Sequence, residues 1–158
     1  MRAATIQEIK KEITALKPAQ LVELCMRLGK FKKENKELLT YLLFESQDEQ
    51  QFIRSIKEEI EALIGEINLS HLYYAKKSLR KIGRLINKYA RYSSEKSTEV
   101  ELRMYFMQCI NDTGIPLKKN PVINNLYLGQ LKKVHQLVDG LHEDLQYEYR
   151  RGIESLEP

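Results

Sequence analysis

Long apolar runs are missing from this 158-residue sequence. No stretch approaches the roughly 18–20 apolar residues that a membrane-spanning helix needs. The first residues, MRAATIQEIKKEI, also lack the apolar core of a secretory signal peptide. Both absences predict a cytoplasmic protein that has no membrane as a partner.

Cysteine is scarce, with only Cys25 and Cys109 in the chain. Each lies in an apolar run, LCM for the first and MQCI for the second. We therefore expect two buried, unpaired thiols in a reducing compartment. Apolar surroundings raise the pKa of a thiol, so neither cysteine is expected to be a catalytic nucleophile.

Sequence signals of enzyme chemistry are also absent. The seven glycines are scattered and form no phosphate-binding loop. No segment alternates with the period of a β-strand, and no repeat recurs at the 33–47-residue periods of helical solenoids. The sequence thus predicts no catalytic residue and no cofactor, although it does not settle whether the protein is an enzyme.

Apolar residues recur at helical spacing along nearly the whole chain. Ile6, Ile9, Ile13 and Leu16 begin this pattern, and Thr5 with Glu8 fits a capping box before them. A run that is apolar nearly all round, Leu38 to Phe44, is typical of a helix at the centre of a fold. The spacing predicts helices over 5–16, 19–28, 34–45, 48–67, 71–92, 98–112 and 121–155, the last with a possible break near Gly140.

The order of these segments predicts the architecture. Three short helices come first, longer ones follow, and no linker-like composition separates them. The short turn at 68–70 places two long helices side by side and antiparallel. We expect an all-α fold, a single-domain antiparallel helical bundle of six to seven helices over residues 1–158.

Charge is concentrated in one segment. The formal net charge is +4, yet residues 71–92 hold seven Lys or Arg and no Asp or Glu. On a helical wheel these bases lie opposite the apolar stripe, with Tyr73 among them and Tyr74 and Tyr92 at the edge. Such a ridge suits a phosphate backbone, and tyrosine can stack on an unpaired base. The candidate residues for nucleic acid or another anionic partner are Tyr73, Lys77, Arg80, Lys81, Arg84, Lys88 and Arg91.

The same ridge has a plainer interpretation. Residues 48–66 carry six acids against Arg54 and Lys57, and an acidic neighbour could pair with the edges of the ridge at Lys76 and at Lys81 or Lys88. The ridge would then be a solvated or internally paired face. A second basic cluster, RLGKFKKENK at 27–36, contains Phe31, which we expect to anchor the turn in the core.

The last predicted helix carries the only candidates for a metal site. His135, Asp139 and His142 are spaced by 4 and 3, which places them on one face of a continuous helix. No Glu-x-x-His motif supplies ligands from a second helix, so the sequence predicts no metal.

Three functional hypotheses follow from these patterns. The first is a non-enzymatic protein-interaction or assembly module that binds a protein partner or itself. The second is a nucleic-acid-binding protein that uses the basic helix 73–92. The third is a metal-dependent helical-bundle enzyme.

Overall fold

The structure of this protein is a computed structural model that describes residues 1–158. It is all-helical, as predicted, and contains no β-strand. Two compact units divide the chain, Met1–Phe44 and Glu45–Pro158. The eight α-helices are α1 Ile6–Thr14, α2 Pro18–Phe31, α3 Lys33–Thr40, α4 Glu49–Gly65, α5 Leu72–Ser93, α6 Lys96–Asp112, α7 Pro121–Val138 and α8 Glu143–Glu154. A π-helical turn covers Tyr41–Glu45 and a 3-10 turn covers Leu117–Lys119.

The count of eight corrects the prediction of six to seven, because the segment 121–155 is two helices. α7 ends at Val138, and His142 has an extended backbone. The imidazole Nδ1 of His142 caps α8 by accepting a hydrogen bond from the Asp144 backbone N–H. Glycine at position 140 weakens a helix interior. The Gln146 side chain donates to the Leu141 carbonyl over 2.9 Å, so this carbonyl has a hydrogen-bond partner at the interruption between the two helices.

The first unit is a short helical segment. Thr5 and Glu8 form the predicted capping box at the start of α1. α2 and α3 pack on each other, and a Cβ added at Gly29 would lie only 2.9 Å from Leu39 Cδ1. Gly29 therefore permits close packing of α2 against α3, and α2 continues to Phe31 instead of ending at residue 28 as predicted.

This first unit buries almost none of its apolar side chains. α1, α2 and α3 contain no buried residue, and Tyr41 is the only buried position before Glu45. Phe31, the predicted core anchor, is 76% exposed, and Phe44 is 77% exposed. The prediction of a central, buried helix over 38–44 is wrong, because a unit of this size has too little volume to enclose such side chains.

The second unit contains the hydrophobic core. Its helices bury the predicted apolar stripes, including Ile56, Ile60, Leu79, Ile82, Ile86, Leu102, Phe106, Ile110 and Val134. α4 and α5 run antiparallel, since Ser93 at the end of α5 donates a hydrogen bond to Glu49 at the start of α4. Thr98 donates to the same carboxylate over 2.6 Å from inside α6, which begins at Lys96 rather than at 98.

α6 contacts three other helices of this unit, α4, α5 and α7. α5 and α7 also touch, so α6 lies behind both of them. None of the helices combines the length and the apolar character that a membrane span requires. The antiparallel bundle and the single domain over 1–158 remain predictions.

Candidate nucleic-acid interface

The basic ridge lies on α5, whose opposite side is buried. Ala75, Leu79, Ile82, Ile86 and Ala90 step by three or four and form the core side of this helix. The helix contains seven Lys or Arg and no acid. Because the two periodic sets occupy opposite sides of one cylinder, burial of the first directs the second toward solvent.

The centre of the ridge is open. Five side chains on α5 are exposed and make no ion pair or side-chain hydrogen bond: Lys77, Arg80, Lys81, Arg84 and Arg91. Lys76 is half-buried, with its Nζ 5.3 Å from the centre of the Tyr73 ring. Lys88 is also half-buried, and its Nζ lies 4.7 Å from the centre of the Tyr89 ring.

The expected neutralisation by α4 does not occur at Lys76 or Lys81. Several acids of α4 instead accept hydrogen bonds from hydroxyl groups. Glu59 accepts from the Tyr89 hydroxyl over 2.9 Å, Glu49 from Ser93 and Thr98, and Glu61 from Tyr105. These carboxylates are held at the edge of the core, so they leave the ridge on α5 positively charged.

Two tyrosines extend the ridge at the start of α5. Tyr73 is 67% exposed and Tyr74 is 57% exposed. Their rings lie edge to face, with the centres 5.5 Å apart. Tyr92, placed at the edge of the ridge by the sequence pattern, is instead buried, with its ring centre 6.0 Å from that of Tyr89.

A groove beside the ridge was not predicted. It lies between α5 and α7, has a volume of about 740 Å³, and has Arg80, Gly83, Arg84, Asn87, Asn125, Gly129 and Gln130 among its lining residues. No acidic residue lines it. The glycines are the one signal in the sequence that could have suggested it, because glycine has no side chain to fill the space between two helices.

A buried arginine forms hydrogen bonds to two residues that line this groove. Arg103 of α6 is only 5% exposed. Its guanidinium donates to Glu99 Oε1, to Gln130 Oε1 and to Asn87 Oδ1, each over 2.6 Å. The carboxylate of Glu99 compensates the buried charge, and the two amides accept hydrogen bonds from the two terminal nitrogens. Sequence analysis missed this network because its members come from three helices.

The metal candidates do not converge. His135 Nε2 lies 3.7 Å from Glu157, Asp139 lies 3.3 Å from Arg150, and His142 caps α8. Because the helix ends at Val138, His142 is no longer on the face that carries His135. No group of three His, Cys, Asp or Glu side chains is arranged to hold a metal ion.

The thiols differ from each other. Cys109 is buried and free, as predicted, and burial, followed by the nearby carboxylates of Glu61 and Asp112, raises the pKa of its thiol. Cys25 is free but exposed, which corrects the prediction of two buried thiols. A thiol with a raised pKa is a poor nucleophile at neutral pH.

Comparisons with known proteins add no assignment: no family model, curated protein or solved structure matches the chain.

Proposed function

We propose that this protein is a non-enzymatic helical module that binds single-stranded nucleic acid through the basic face of α5. The observation that carries the proposal is that five exposed Lys and Arg side chains on this helix have no ion-pair partner, and that the helix contains no acidic residue. Surface Lys and Arg side chains without an ion-pair partner can neutralise phosphates and release the counterions of the nucleic acid. Tyr73 and Tyr74 supply exposed rings on which unpaired bases can stack.

The chemistry of the face predicts the character of the binding. Arg and Lys contact phosphates and fix the position of the strand without reading its sequence. Affinity should therefore depend weakly on sequence and strongly on salt, with a log–log slope of roughly −0.7 for each phosphate neutralised on a single strand. Duplex DNA offers phosphates but no unstacked base to Tyr73, so the single strand is the preferred ligand.

We take the scaffold to be the antiparallel bundle of a single cytoplasmic domain. The antiparallel pairing of α4 with α5 and the contacts of α6 with α5 and α7 support the bundle. The two free cysteines support a reducing compartment.

Fluorescence anisotropy with a labelled single-stranded oligonucleotide tests the proposal at low and moderate salt. We expect micromolar binding that is lost in the double variant Arg80→Glu/Arg84→Glu, with folding unchanged because both side chains are exposed. The matched control is Lys132→Glu/Arg151→Glu, which makes the same change in net charge at exposed positions outside the groove. Equal loss in both variants, or no binding by the parent at tens of micromolar, contradicts the proposal.

The first unit favours a second function, self-association. It exposes Ile6, Val22, Met26, Leu28, Phe31, Leu42, Leu43 and Phe44 and buries only Tyr41. Contiguous apolar surface beyond a few hundred Å² marks interaction sites on soluble proteins. We propose that a second copy of the chain covers these helices, in which case this protein is an assembly module.

Light scattering after size-exclusion chromatography tests self-association over a range of concentrations. Met26→Glu/Phe31→Glu should shift the protein to monomer, because a charge would be buried at the interface between copies. Tyr147→Glu is the control, since Tyr147 is 71% exposed but lies in the second unit. A parent protein that stays monomeric at high concentration contradicts this second function.

A further inference from the structure

We propose that the groove between α5 and α7 is a phosphate-binding site whose hydrogen-bond donors are oriented by Arg103. The proposal deepens the nucleic-acid function above, on which it rests, by naming the group that is recognised. The ligand is the phosphate of one nucleotide unit, either within a single strand or in a free mononucleotide.

Arg103 orients two amide groups of the groove, those of Asn87 and Gln130. The Arg103 guanidinium has only donors, so the groups that face it must be acceptors. It therefore holds the oxygen of Gln130 and the oxygen of Asn87, each at 2.6 Å. The amino group of each amide must then point away from the guanidinium.

The amino groups are free to donate. Neither Asn87 Nδ2 nor Gln130 Nε2 donates a hydrogen bond within the protein, and both residues line the groove. Gln130 Nε2 lies 3.9 Å from the position that a Cβ on Gly83 would occupy. The floor of the groove thus presents amide N–H donors whose direction is set by a buried charge.

The groove also has two positively charged side chains along its α5 side. Arg80 and Arg84 lie one turn apart on α5, line the same groove and have no ion-pair partner. A guanidinium can form two parallel hydrogen bonds to a phosphate. With amide donors below, two guanidinium groups beside them and no acid in the lining, the groove is complementary to an oxyanion.

The groove has space for a bound ligand. Gly83 and Gly129 leave the backbones of both helices uncovered, and a Cβ on Gly129 would meet nothing within 4 Å. The volume of about 740 Å³ falls in the range of small-ligand pockets. Val122 and Leu126 add apolar surface to the lining, which suits a sugar or a base attached to the phosphate.

Two isosteric substitutions test the site, Gln130→Glu and Asn87→Asp. Each keeps an oxygen for Arg103 but replaces the free amino group by a carboxylate oxygen, which repels a phosphate. We expect each to weaken binding of a labelled single-stranded oligonucleotide by about tenfold or more, the size of a lost charge-assisted hydrogen bond. Gln136→Glu is the matched control, because Gln136 is exposed on α7 but does not line the groove.

Nitrogen-15 NMR identifies the source of the phosphate. Titration with the oligonucleotide, with adenosine monophosphate and with inorganic phosphate should shift the side-chain amide signals of Asn87 and Gln130. We expect the oligonucleotide to bind most tightly and the others to shift the same signals at higher concentration.

The outcomes separate the two proposals. If the oligonucleotide binds the parent and both variants equally, the groove proposal is overturned while the nucleic-acid function stands. If adenosine monophosphate shifts the amide signals but no oligonucleotide binds, the nucleic-acid function fails and the phosphate site stands. If no ligand shifts these signals, the groove is not a phosphate site.

Discussion

Arg103 Nη1 donates a hydrogen bond of 2.6 Å to Gln130 Oε1, so a buried cation on α6 is joined to a side chain on α7. The same guanidinium forms an ion pair of 2.6 Å with Glu99 one turn earlier on α6. A buried charge whose three nitrogens all donate hydrogen bonds favours one relative placement of the helices that it joins. Because the network holds Asn87 of α5 and Gln130 of α7, it sets the positions of two side chains that line the groove between these helices.

Replacing the central cation should destabilise the second unit. Arg103→Met keeps much of the side-chain volume but leaves Glu99 with an uncompensated charge and two amide oxygens without donors. Breaking a buried ion pair costs about 3–5 kcal/mol, and we expect the low end because Glu99 is partly exposed. Urea unfolding measures the change in the free energy of unfolding. Arg151→Met, at an exposed position of α8, should change it by less than about 0.5 kcal/mol.

The Tyr127 hydroxyl joins α7 to the C-terminal segment. Tyr127 is 1% exposed, donates to the Leu156 carbonyl over 2.6 Å and accepts from Asn111 Nδ2 over 2.9 Å. Tyr127→Phe keeps the ring but leaves both partners unsatisfied. We expect a loss of about 1–3 kcal/mol in the free energy of unfolding, measured in urea. A change below that range would mean that water replaces the hydroxyl. Tyr147→Phe on exposed α8 surface is the control.

The sequence was sufficient to predict the helices of the second unit apart from the division of 121–155 into α7 and α8, because burial there follows the periodic apolar stripes. Leu79, Ile82 and Ile86 are buried, and the bases opposite them are exposed. The first unit was predicted less well. Its apolar residues show the same periodicity, yet they remain exposed, because periodicity shows which face is apolar but not whether another element covers it.

Contacts between distant segments could not be predicted at all. The buried Arg103 joins Asn87 and Gln130 of the groove, the three residues lie on three helices, and a single sequence carries no record of their proximity. The weak metal candidates His135, Asp139 and His142 were placed on one face by assuming a continuous helix, but α7 ends at Val138, four residues before His142. The proximity of the network residues is tertiary information, whereas the break before His142 is a local feature that Gly140 favours.

The two thiols should react at very different rates. Cys25 is exposed, whereas Cys109 is buried and its thiol pKa is raised by burial. Because the thiolate is the reactive form, a disulfide reagent at neutral pH should label one thiol rapidly in the native protein and two after unfolding. Cys25→Ser should remove the rapid phase, and Cys109→Ser should keep it. Two rapid native thiols would contradict the buried position of Cys109.

Stability should fall in alkaline solution through the tyrosines at the core. Burial, followed by the carboxylates of Glu101 and Glu148, raises the pKa of Tyr149 to about 12. Burial and the hydrogen bond to Glu61 also raise the pKa of Tyr105. The unfolded side chains ionise near pH 10, so the stabilisation is complete below about pH 10 and is lost as the pH rises toward about 12.

Tyr149→Phe isolates one contribution to this loss. The free energy of unfolding should fall less steeply between pH 10 and 12 in the variant than in the parent, because phenylalanine has no proton to lose. Urea unfolding at several pH values across this window measures the slope. Tyr147→Phe removes an exposed tyrosine from the same helix and is the matched control. Identical slopes in parent and Tyr149→Phe would show that this hydroxyl titrates alike in both states.

Tyr73 should distinguish single strands from duplexes. Its ring is 67% exposed at the start of α5, and Lys76 Nζ lies 5.3 Å from the ring centre. An unpaired base can stack on the ring while the lysine contacts a neighbouring phosphate. We expect Tyr73→Ala to weaken single-strand binding by roughly 1–3 kcal/mol, the range measured for one stacked base.

The control substitutions separate stacking from charge. Tyr73→Phe keeps the ring and should bind single strands like the parent, whereas Tyr73→Ala should leave the salt slope unchanged because no phosphate contact is lost. Binding of a duplex of the same length should be nearly equal in all three proteins, since its bases are already stacked. Anisotropy titrations at two salt concentrations measure each quantity. An equal loss for single strand and duplex in Tyr73→Ala would mean that the ring supports the helix start instead of stacking on a base.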